Sequence, residues 1–150
     1  MSGLIRVCGA CGRANRVPAG RLVDTARCGV CKTAIPPMAE PIDADEGLFE
    51  AVVRDAPAPV LVDFWAAWCG PCRMAAPEVA RVAADLAGRA IVLKVDTERH
   101  PAIAGRFGVR GIPNFVVLHR GRVVHQHAGV VPSDTMRSWL ERAAATEAAS

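Results

Sequence analysis

Cysteine spacing constrains what this chain can fold into more than any other feature of its 150 residues. The six cysteines form three Cys-x-x-Cys pairs: Cys8/Cys11, Cys28/Cys31 and Cys69/Cys72. No uncharged apolar stretch reaches the ~18 residues that a membrane-spanning helix needs, and the first residues lack the apolar region of a signal peptide. We therefore expect a cytoplasmic protein that does not act at a membrane. In a compartment that keeps thiols reduced, such pairs indicate metal or redox chemistry rather than a disulfide scaffold.

Charge and composition divide the chain near residue 40. Residues 1–40 carry six Lys or Arg and two acidic residues, a net charge of +4, whereas the whole chain has a net charge of only +3. Pro36, Pro37 and Pro41 mark the boundary as a short, stiff spacer. We expect a small module at residues 1–40 and a larger domain at residues 41–150.

Beyond this boundary, strand and helix patterns alternate along the chain. Val60–Trp65 and Ile91–Val95 are short apolar runs, typical of strands buried on both faces of a sheet. Between them, apolar residues that include Met74 recur at helical spacing over residues 71–86, and a hairpin follows around Arg120-Gly121. This order predicts an α/β domain with a central mixed β-sheet flanked by helices.

Two of the cysteine pairs lie in the N-terminal module with 16 residues between them, a spacing typical of four-cysteine zinc sites. Each pair can place two thiolates on one side of a tight turn, and two such turns complete a tetrahedron around Zn²⁺. A polar segment of about 40 residues cannot bury enough apolar surface to be stable alone, so we expect a bound metal ion to stabilise its fold. We expect a zinc ribbon with one structural ion, held by Cys8, Cys11, Cys28 and Cys31.

Two alternatives apply to this module. Its cysteines could form two disulfides in a secreted fragment, which the lack of a signal peptide argues against. A ribbon with a charge of +4 could also bind nucleic acid, but residues 1–40 contain no aromatic residue for base stacking. We therefore expect no nucleic-acid partner. The four histidines lie outside the module, and we expect His125 and His127 on a solvated strand face.

The third pair, Cys69 and Cys72, stands where a buried strand gives way to a helix. Pro71 suits the first helical turn, where its missing N–H needs no partner. Cys69 then lies just before the helix, where free N–H groups and the positive end of the helix dipole favour a thiolate. Cys72 lies inside the first turn, and we expect its sulfur to be the more buried one. This arrangement favours dithiol–disulfide exchange, whereas a second zinc site lacks the partner pair it would need.

Asp63 interrupts the apolar strand and shares a face with Leu61 and Trp65. A buried carboxylate is costly unless it is paired or protonated, so Asp63 is a candidate proton acceptor for Cys72, with its pKa raised by desolvation. Lys94, on the neighbouring predicted strand, could tune that carboxylate. The residues alone leave the alternatives open: a strand-end surface charge for Asp63 and a surface cation for Lys94.

The sequence VLVDFWAAWCGPCRM at residues 60–74 resembles the active-site signature of the thioredoxin family. Arg110-Gly111-Ile112-Pro113 is similar to the loop that presents a cis-proline in that family. This resemblance covers residues 42–145. The N-terminal pairs, with Asn15-Arg16-Val17-Pro18 between them, further resemble the bacterial zinc-binding branch of the family, thioredoxin 2, over nearly the whole chain.

The resemblance implies a thioredoxin fold and a protein-disulfide reductase. Cys69 would be the nucleophile and Cys72 the resolving thiol. Asp63 would accept a proton, with Lys94 near it and Pro113 cis opposite the dithiol. The implied partners are disulfide-containing protein substrates and an NADPH-dependent thioredoxin reductase, with the protein acting as a monomer. The apolar surface that docks a substrate, including the backbone of Ile112, would comprise Trp68, Gly70, Pro71, Ile112 and Gly129.

The chain departs from the family pattern in three ways. Asn114 follows the proline where the family usually has threonine, His119 replaces an aromatic residue, and the chain has no tyrosine. We expect Asn114 to affect substrate preference rather than the chemistry.

Two other functions stay open. The ribbon could be a docking or redox-sensing module, because zinc held by thiolates can leave when they oxidise. The chain could also be an oxidase or isomerase, although Gly70-Pro71 resembles the reducing members of the family.

Overall fold

The computed structural model describes residues 3–149, with side chains up to residue 145. Over these residues the chain forms nine strands and four α-helices, with one 3-10 turn at Ala19–Arg21. The elements are β1 Gly3–Val7, β2 Ala14–Pro18, β3 Ala26–Arg27, β4 Ala34–Ile35, β5 Ile42–Asp43, α1 Glu46–Asp55, β6 Val60–Trp65, α2 Gly70–Asp85, β7 Ile91–Asp96, α3 Pro101–Arg106, β8 Asn114–His119, β9 Arg122–Ala128 and α4 Ser133–Ala149.

Five strands form the central sheet, in the order β5-β7-β6-β8-β9. The first three are parallel, β8 runs antiparallel to β6, and β9 runs antiparallel to β8. The mixed sheet is therefore confirmed. At the β8–β9 turn, Arg120 and Gly121 both have positive φ angles, of 53° and 81°, as a tight two-residue hairpin requires.

The two faces of the sheet carry separate hydrophobic cores, and β6 contributes to both because its side chains alternate. Val62 and Phe64 pack with Phe49 of α1 on one face. Leu61 packs with Val79 of α2 and with α4 on the other face. Asp63 has the same parity as Leu61, which places it on the α2 face.

The N-terminal segment, residues 3–40, which we call the ribbon, consists of two antiparallel hairpins, β1–β2 and β3–β4. Within the ribbon itself, buried side chains form only one small cluster, Cys8, Cys28 and Ile35, with Ala26 packed against it. Val17, Ala19 and Leu22 are buried in the same cluster as Phe49 and Val52 of α1. The ribbon is thus stabilised partly by packing on the larger domain, which the sequence analysis did not anticipate.

No helix within the described part of the chain is long and apolar enough to cross a membrane.

Candidate active site and metal centre

Cys69 and Cys72 are joined by a disulfide bond at the N-terminus of α2, with their Cα atoms 5.3 Å apart. Cys69 is the residue that caps the helix: its backbone is extended, and its Sγ accepts a hydrogen bond of 3.1 Å from the Cys72 backbone N–H. An N–H aimed at this sulfur, together with the positive end of the helix dipole, favours the thiolate once the disulfide is reduced. This geometry agrees with the predicted strand–helix junction.

For whole residues, this disulfide form does not show the expected difference in burial between Cys69 and Cys72. Cys69 is 3% exposed and Cys72 is 6% exposed, so both are buried and Cys69 is not the more accessible one. Both cysteines belong to one buried cluster with Ala66, against which Ile112 packs, and Cys69 Sγ lies 3.7 Å from the Ile112 carbonyl oxygen.

The loop opposite the dithiol contains a cis peptide bond between Ile112 and Pro113, as the resemblance implied. The Gly129 N–H donates to the Pro113 carbonyl oxygen at 2.9 Å, which fixes the end of β9 beside this loop. Gly129 has a φ of +107°, a conformation that residues with a side chain rarely adopt. The structure thus brings Ile112, Pro113 and Gly129 together next to Cys69.

An exposed apolar surface borders the dithiol. Trp68 is 66% exposed, and its indole Nε1 donates to Glu98 Oε1 at 2.6 Å, which orients the ring. Gly70 and Pro71 are exposed beside it. Met74 was predicted on the apolar face of the helix, and this is wrong: it is 68% exposed, because the buried stripe of α2 follows Ala75, Val79, Val82 and Ala83. Glu98 is therefore a neighbour of the site that the sequence analysis missed.

Asp63 lies inside the protein, so its interpretation as a strand-end surface charge is wrong. It is 2% exposed, and its Oδ1 has no hydrogen-bond partner. Burial raises the pKa of Asp63 to about 7, while the positive charge of Lys94 acts in the opposite direction. Lys94 faces Asp63 in the β6–β7 register and is half-buried, and its Nζ lies 4.8 Å from the centre of the Trp65 ring. A carboxyl group with a pKa near neutrality can both accept and return a proton.

The four cysteines of the ribbon form one cluster in which all four Sγ atoms lie within 4.8 Å of one another. Cys8 Sγ lies 3.6 Å from Cys31 Sγ, and Cys11 Sγ lies 3.6 Å from Cys28 Sγ. A tetrahedron with metal–sulfur bonds of about 2.3 Å has edges of about 3.8 Å, so the donor set fits Zn²⁺ in both chemistry and size.

Two matching turns build this cluster. Cys8 O accepts from the Gly12 N–H at 2.9 Å, and Cys28 O accepts from the Lys32 N–H at 3.1 Å. Gly12 and Lys32 occupy equivalent positions, with φ angles of 76° and 66°. Asn15 ties the two turns together, because its Oδ1 accepts from the Gly29 N–H at 3.0 Å.

Backbone N–H groups also act on the sulfurs of the cluster. The N–H groups of Cys31 and Val30 lower the pKa of Cys28 to about 6. They do so because they donate to the sulfur and stabilise its thiolate, which is the form that binds a metal.

The ribbon contacts the larger domain near the start of β6 and β7. A Cβ atom on Gly20 would lie 3.1 Å from the Asp55 carbonyl oxygen, and one on Gly88 would lie 3.7 Å from that of Val23. Asp55 and Gly88 precede β6 and β7, so the ribbon packs where these strands begin, whereas Cys69 follows the end of β6. A six-residue strand spans about 20 Å. The two cysteine centres share no residue, since the cluster contains only ribbon cysteines and the disulfide joins Cys69 to Cys72.

The histidines of β9 are not on a fully solvated face, contrary to expectation. The ring of His125 lies 4.5 Å from that of Trp139 in α4, and His127 lies 5.5 Å from it. His119 is buried, with Nδ1 3.1 Å from the Ala143 carbonyl oxygen. Within the described residues, the only grouping of three or more metal-ligating side chains is the cysteine cluster.

Comparisons with known proteins cover both parts of the chain. A family profile described as Thioredoxin matches residues 40–142, and one described as Thioredoxin 2, N-terminal, matches residues 7–33. The chain is 37% identical to Thioredoxin C-3 of Corynebacterium nephridii over 139 residues, which is 93% of this chain and 94% of that protein. It is 42% identical to Thioredoxin 1 of a Nostoc species over 97 residues, covering 65% of this chain and 91% of that protein.

A solved structure gives the same result. A mutant thioredoxin from Halobacterium salinarum superposes with a TM-score of 0.65 at 34% identity, covering 73% of this chain and 94% of that one. Chloroplastic thioredoxin z also superposes with a TM-score of 0.65, at 24% identity, which supports the fold alone.

Proposed function

This chain belongs to the thioredoxin family of disulfide oxidoreductases, and on that premise we propose that it reduces disulfide bonds of cytoplasmic proteins through Cys69 and Cys72. The observation that carries this proposal is the bonded pair at the N-terminus of α2, with the Cys72 N–H on Cys69 Sγ at 3.1 Å. The docking surface is the exposed apolar region around the dithiol, formed by Trp68, Gly70, Pro71, Ile112 and Gly129.

In the first step, the Cys69 thiolate attacks one sulfur of the substrate disulfide. A bond forms between Cys69 Sγ and that sulfur, and the other substrate sulfur leaves as a thiolate that takes up a proton. The Cys72 N–H stabilises the attacking thiolate. The backbone of Ile112, close to Cys69, pairs with the substrate segment that carries the attacked sulfur.

In the second step, Cys72 attacks Cys69 Sγ. Asp63 accepts the proton of the Cys72 thiol, the Cys69–Cys72 disulfide forms, and the remaining substrate sulfur leaves as a thiolate. Asp63 suits this role because burial holds its pKa at about 7, and its oxygen without a hydrogen bond is free to take the proton. Pro113 keeps the opposite side of the site closed, and Lys94 modulates the charge on Asp63.

The oxidised pair must be reduced again by two electrons. An NADPH-dependent thioredoxin reductase is the proposed donor, which places the protein in an electron-transfer chain that maintains the redox balance of the cytoplasm. We propose that the protein acts in this chain as a monomer.

The test is the reduction of insulin disulfides by the full chain with dithiothreitol as the electron source. Cys69→Ser should abolish turnover. Cys72→Ser should instead accumulate a mixed disulfide with the substrate, visible as a mass increase that dithiothreitol reverses. Substantial turnover by Cys69→Ser would exclude the mechanism.

For the ribbon, we infer one structural Zn²⁺ held by Cys8, Cys11, Cys28 and Cys31. The ion would supply a fixed tetrahedral link between the two hairpins. The size of the cluster and the match to the N-terminal domain of Thioredoxin 2 support this inference. Metal analysis with thiol counting tests it: we expect one zinc per chain and two reactive thiols in the reduced protein. Six reactive thiols without metal would contradict it.

The ribbon is also proposed to be sensitive to oxidation. Cys11 and Cys31 are exposed, whereas Cys8 and Cys28 are buried, so an oxidant can reach two of the four sulfurs. Zinc release measured against peroxide dose tests this: release at doses similar to those that oxidise Cys69 and Cys72 supports a sensing role. A ribbon that keeps its metal at those doses is structural only.

A further inference from the structure

The loop between α3 and β8 faces the dithiol, and one side chain joins its two ends. The loop runs from Phe107 to Pro113 and brings the Ile112 carbonyl oxygen to 3.7 Å from Cys69 Sγ. Gln126 of β9 donates from Nε2 to the Phe107 carbonyl oxygen at 2.9 Å and to Asn114 Oδ1 at 3.1 Å. Both N–H groups of one amide nitrogen are thus used.

Asn114 is the buried end of this bridge. It follows the cis-proline and is 6% exposed, and its backbone lies between those of Phe64 and Ala128 in the sheet. A buried amide oxygen is costly unless a donor reaches it, and Gln126 supplies that donor. Asn114, which replaces the usual threonine of the family, therefore has its side-chain oxygen satisfied by a hydrogen bond from Gln126.

Phe107 is the other residue that Gln126 contacts, and its position is fixed by packing against the core. Its ring lies 5.8 Å from the rings of both Phe49 and Phe64. Between the two ends, Gly108 turns the chain with a φ of 63°, and Arg110 and Gly111 are exposed. The position of the Ile112 backbone therefore depends on how firmly the ends of the loop are held.

We propose that Gln126 is a positioning residue that determines how well this protein accepts protein substrates rather than small disulfides. Through Asn114 and Phe107 it holds the loop so that the Ile112 backbone is ready to pair with an extended substrate segment. A small disulfide makes no such backbone pairing and depends on Cys69 alone. The inference rests on the proposed function, because it deepens the role given there to Ile112.

The test compares two substrates with Gln126→Met, which has a similar length and no donor. With insulin, we expect KM to rise about tenfold, the effect of losing one to two hydrogen bonds, and kcat to change less than about twofold. With a small aromatic disulfide, the rate should stay within about twofold. The reduction potential and the thermal midpoint should change little, which separates positioning from a general structural role.

Two further variants sharpen the comparison. Arg122→Met, a matched replacement of an exposed residue on the same strand, should leave both substrates unaffected. Adding Gln126→Met to Asn114→Ala should raise the insulin KM by only about threefold, because the Gln126 hydrogen bond to Asn114 is already lost and only the one to Phe107 remains to be removed.

An insulin KM within about twofold of the unmodified chain, or an equal loss with both substrates, overturns the proposal. If Gln126→Met does not fold, Gln126→Asn keeps the donors on a shorter side chain and should give an intermediate insulin KM; an unchanged KM there also overturns it. Failure of the unmodified chain to reduce insulin would instead contradict the proposed function itself.

Discussion

Asp63 and Lys94 face each other across the parallel β6–β7 ladder, yet no ion pair among the described residues joins them. The Lys94 ammonium instead lies over the Trp65 ring, 4.8 Å from its centre. The positive charge of Lys94 thus acts on Asp63 without forming an ion pair with it, and one oxygen of Asp63 lacks a hydrogen-bond partner. This arrangement keeps the pKa of Asp63 at about 7, so its protonated and ionised forms are both populated at neutral pH.

The first prediction concerns the rate of the resolving step. Asp63→Asn removes the proposed proton acceptor and should slow the closure of the Cys69–Cys72 disulfide at least about tenfold at pH 7. Rapid mixing of a preformed mixed disulfide measures this rate. The attack of Cys69 on a small disulfide is the internal control and should change little. Closure at the rate of the unmodified chain would return Asp63 to a purely structural role.

The second prediction concerns stability and pH. The buried Asp63 keeps its proton up to about pH 7, whereas in the unfolded chain it ionises near its ordinary value of 3.8. Between these values the folded state binds the extra proton, so its stability falls as pH rises, by up to about 4 kcal/mol in total. The free energy of unfolding of Asp63→Asn, relative to that of the unmodified chain, should therefore increase as pH rises from 4 to 8. Denaturant titrations at these two pH values measure the gain; equal differences at both would contradict it.

The third prediction concerns Lys94, whose charge opposes the rise in the Asp63 pKa. Lys94→Met removes this charge, so the pKa of Asp63 should rise further, and the pH midpoint of disulfide closure should move upward with it. The control is Lys32→Met, which removes the only other lysine of the chain and lies in the ribbon. A midpoint that moves equally in both variants would show an effect of net charge rather than of the Asp63–Lys94 pair.

The alternation of short apolar strands and helical spacing was enough to predict the mixed sheet, because the local spacing of apolar residues indicates that side chains such as Val62 and Phe64 are buried. The cysteine spacing likewise predicted the cluster at Cys8 and its partners. The burial of Leu22 against α1 could not be predicted, since it depends on contacts between distant segments that share no sequence signal. The contacts of Gln126 were missed for another reason: one reaches Asn114 on the neighbouring strand β8 and one reaches Phe107 in the loop, and a glutamine on an exposed strand has no characteristic pattern.

The fourth prediction follows from that shared core. Leu22 belongs to the ribbon but is 1% exposed within the cluster that contains Phe49. Leu22→Ala should lower the free energy of unfolding of the whole chain by about 2–4 kcal/mol, as a cavity in a continuous core does. Val30→Ala, at a ribbon position that is 63% exposed, is the control and should have little effect. A separate, unchanged transition for the larger domain in Leu22→Ala would show that the ribbon unfolds independently.

The fifth prediction uses the equivalence of the two cysteine-bearing turns of the ribbon. Lys32 adopts a φ of 66° at the position where the other turn has Gly12 with a φ of 76°, and a residue with a side chain pays about 1–2 kcal/mol for this conformation. Lys32→Gly should therefore stabilise the ribbon by about 0.5–1 kcal/mol. The gain is smaller than the full conformational cost for two reasons. Glycine makes the unfolded chain more flexible, and the substitution removes the hydrogen bond from Lys32 Nζ to the Gly29 carbonyl oxygen. Gly12→Ala is the matched converse and should destabilise by about 1 kcal/mol. Thermal unfolding of the zinc-loaded chain measures both, and destabilisation by Lys32→Gly would show that its side-chain contact outweighs the backbone strain.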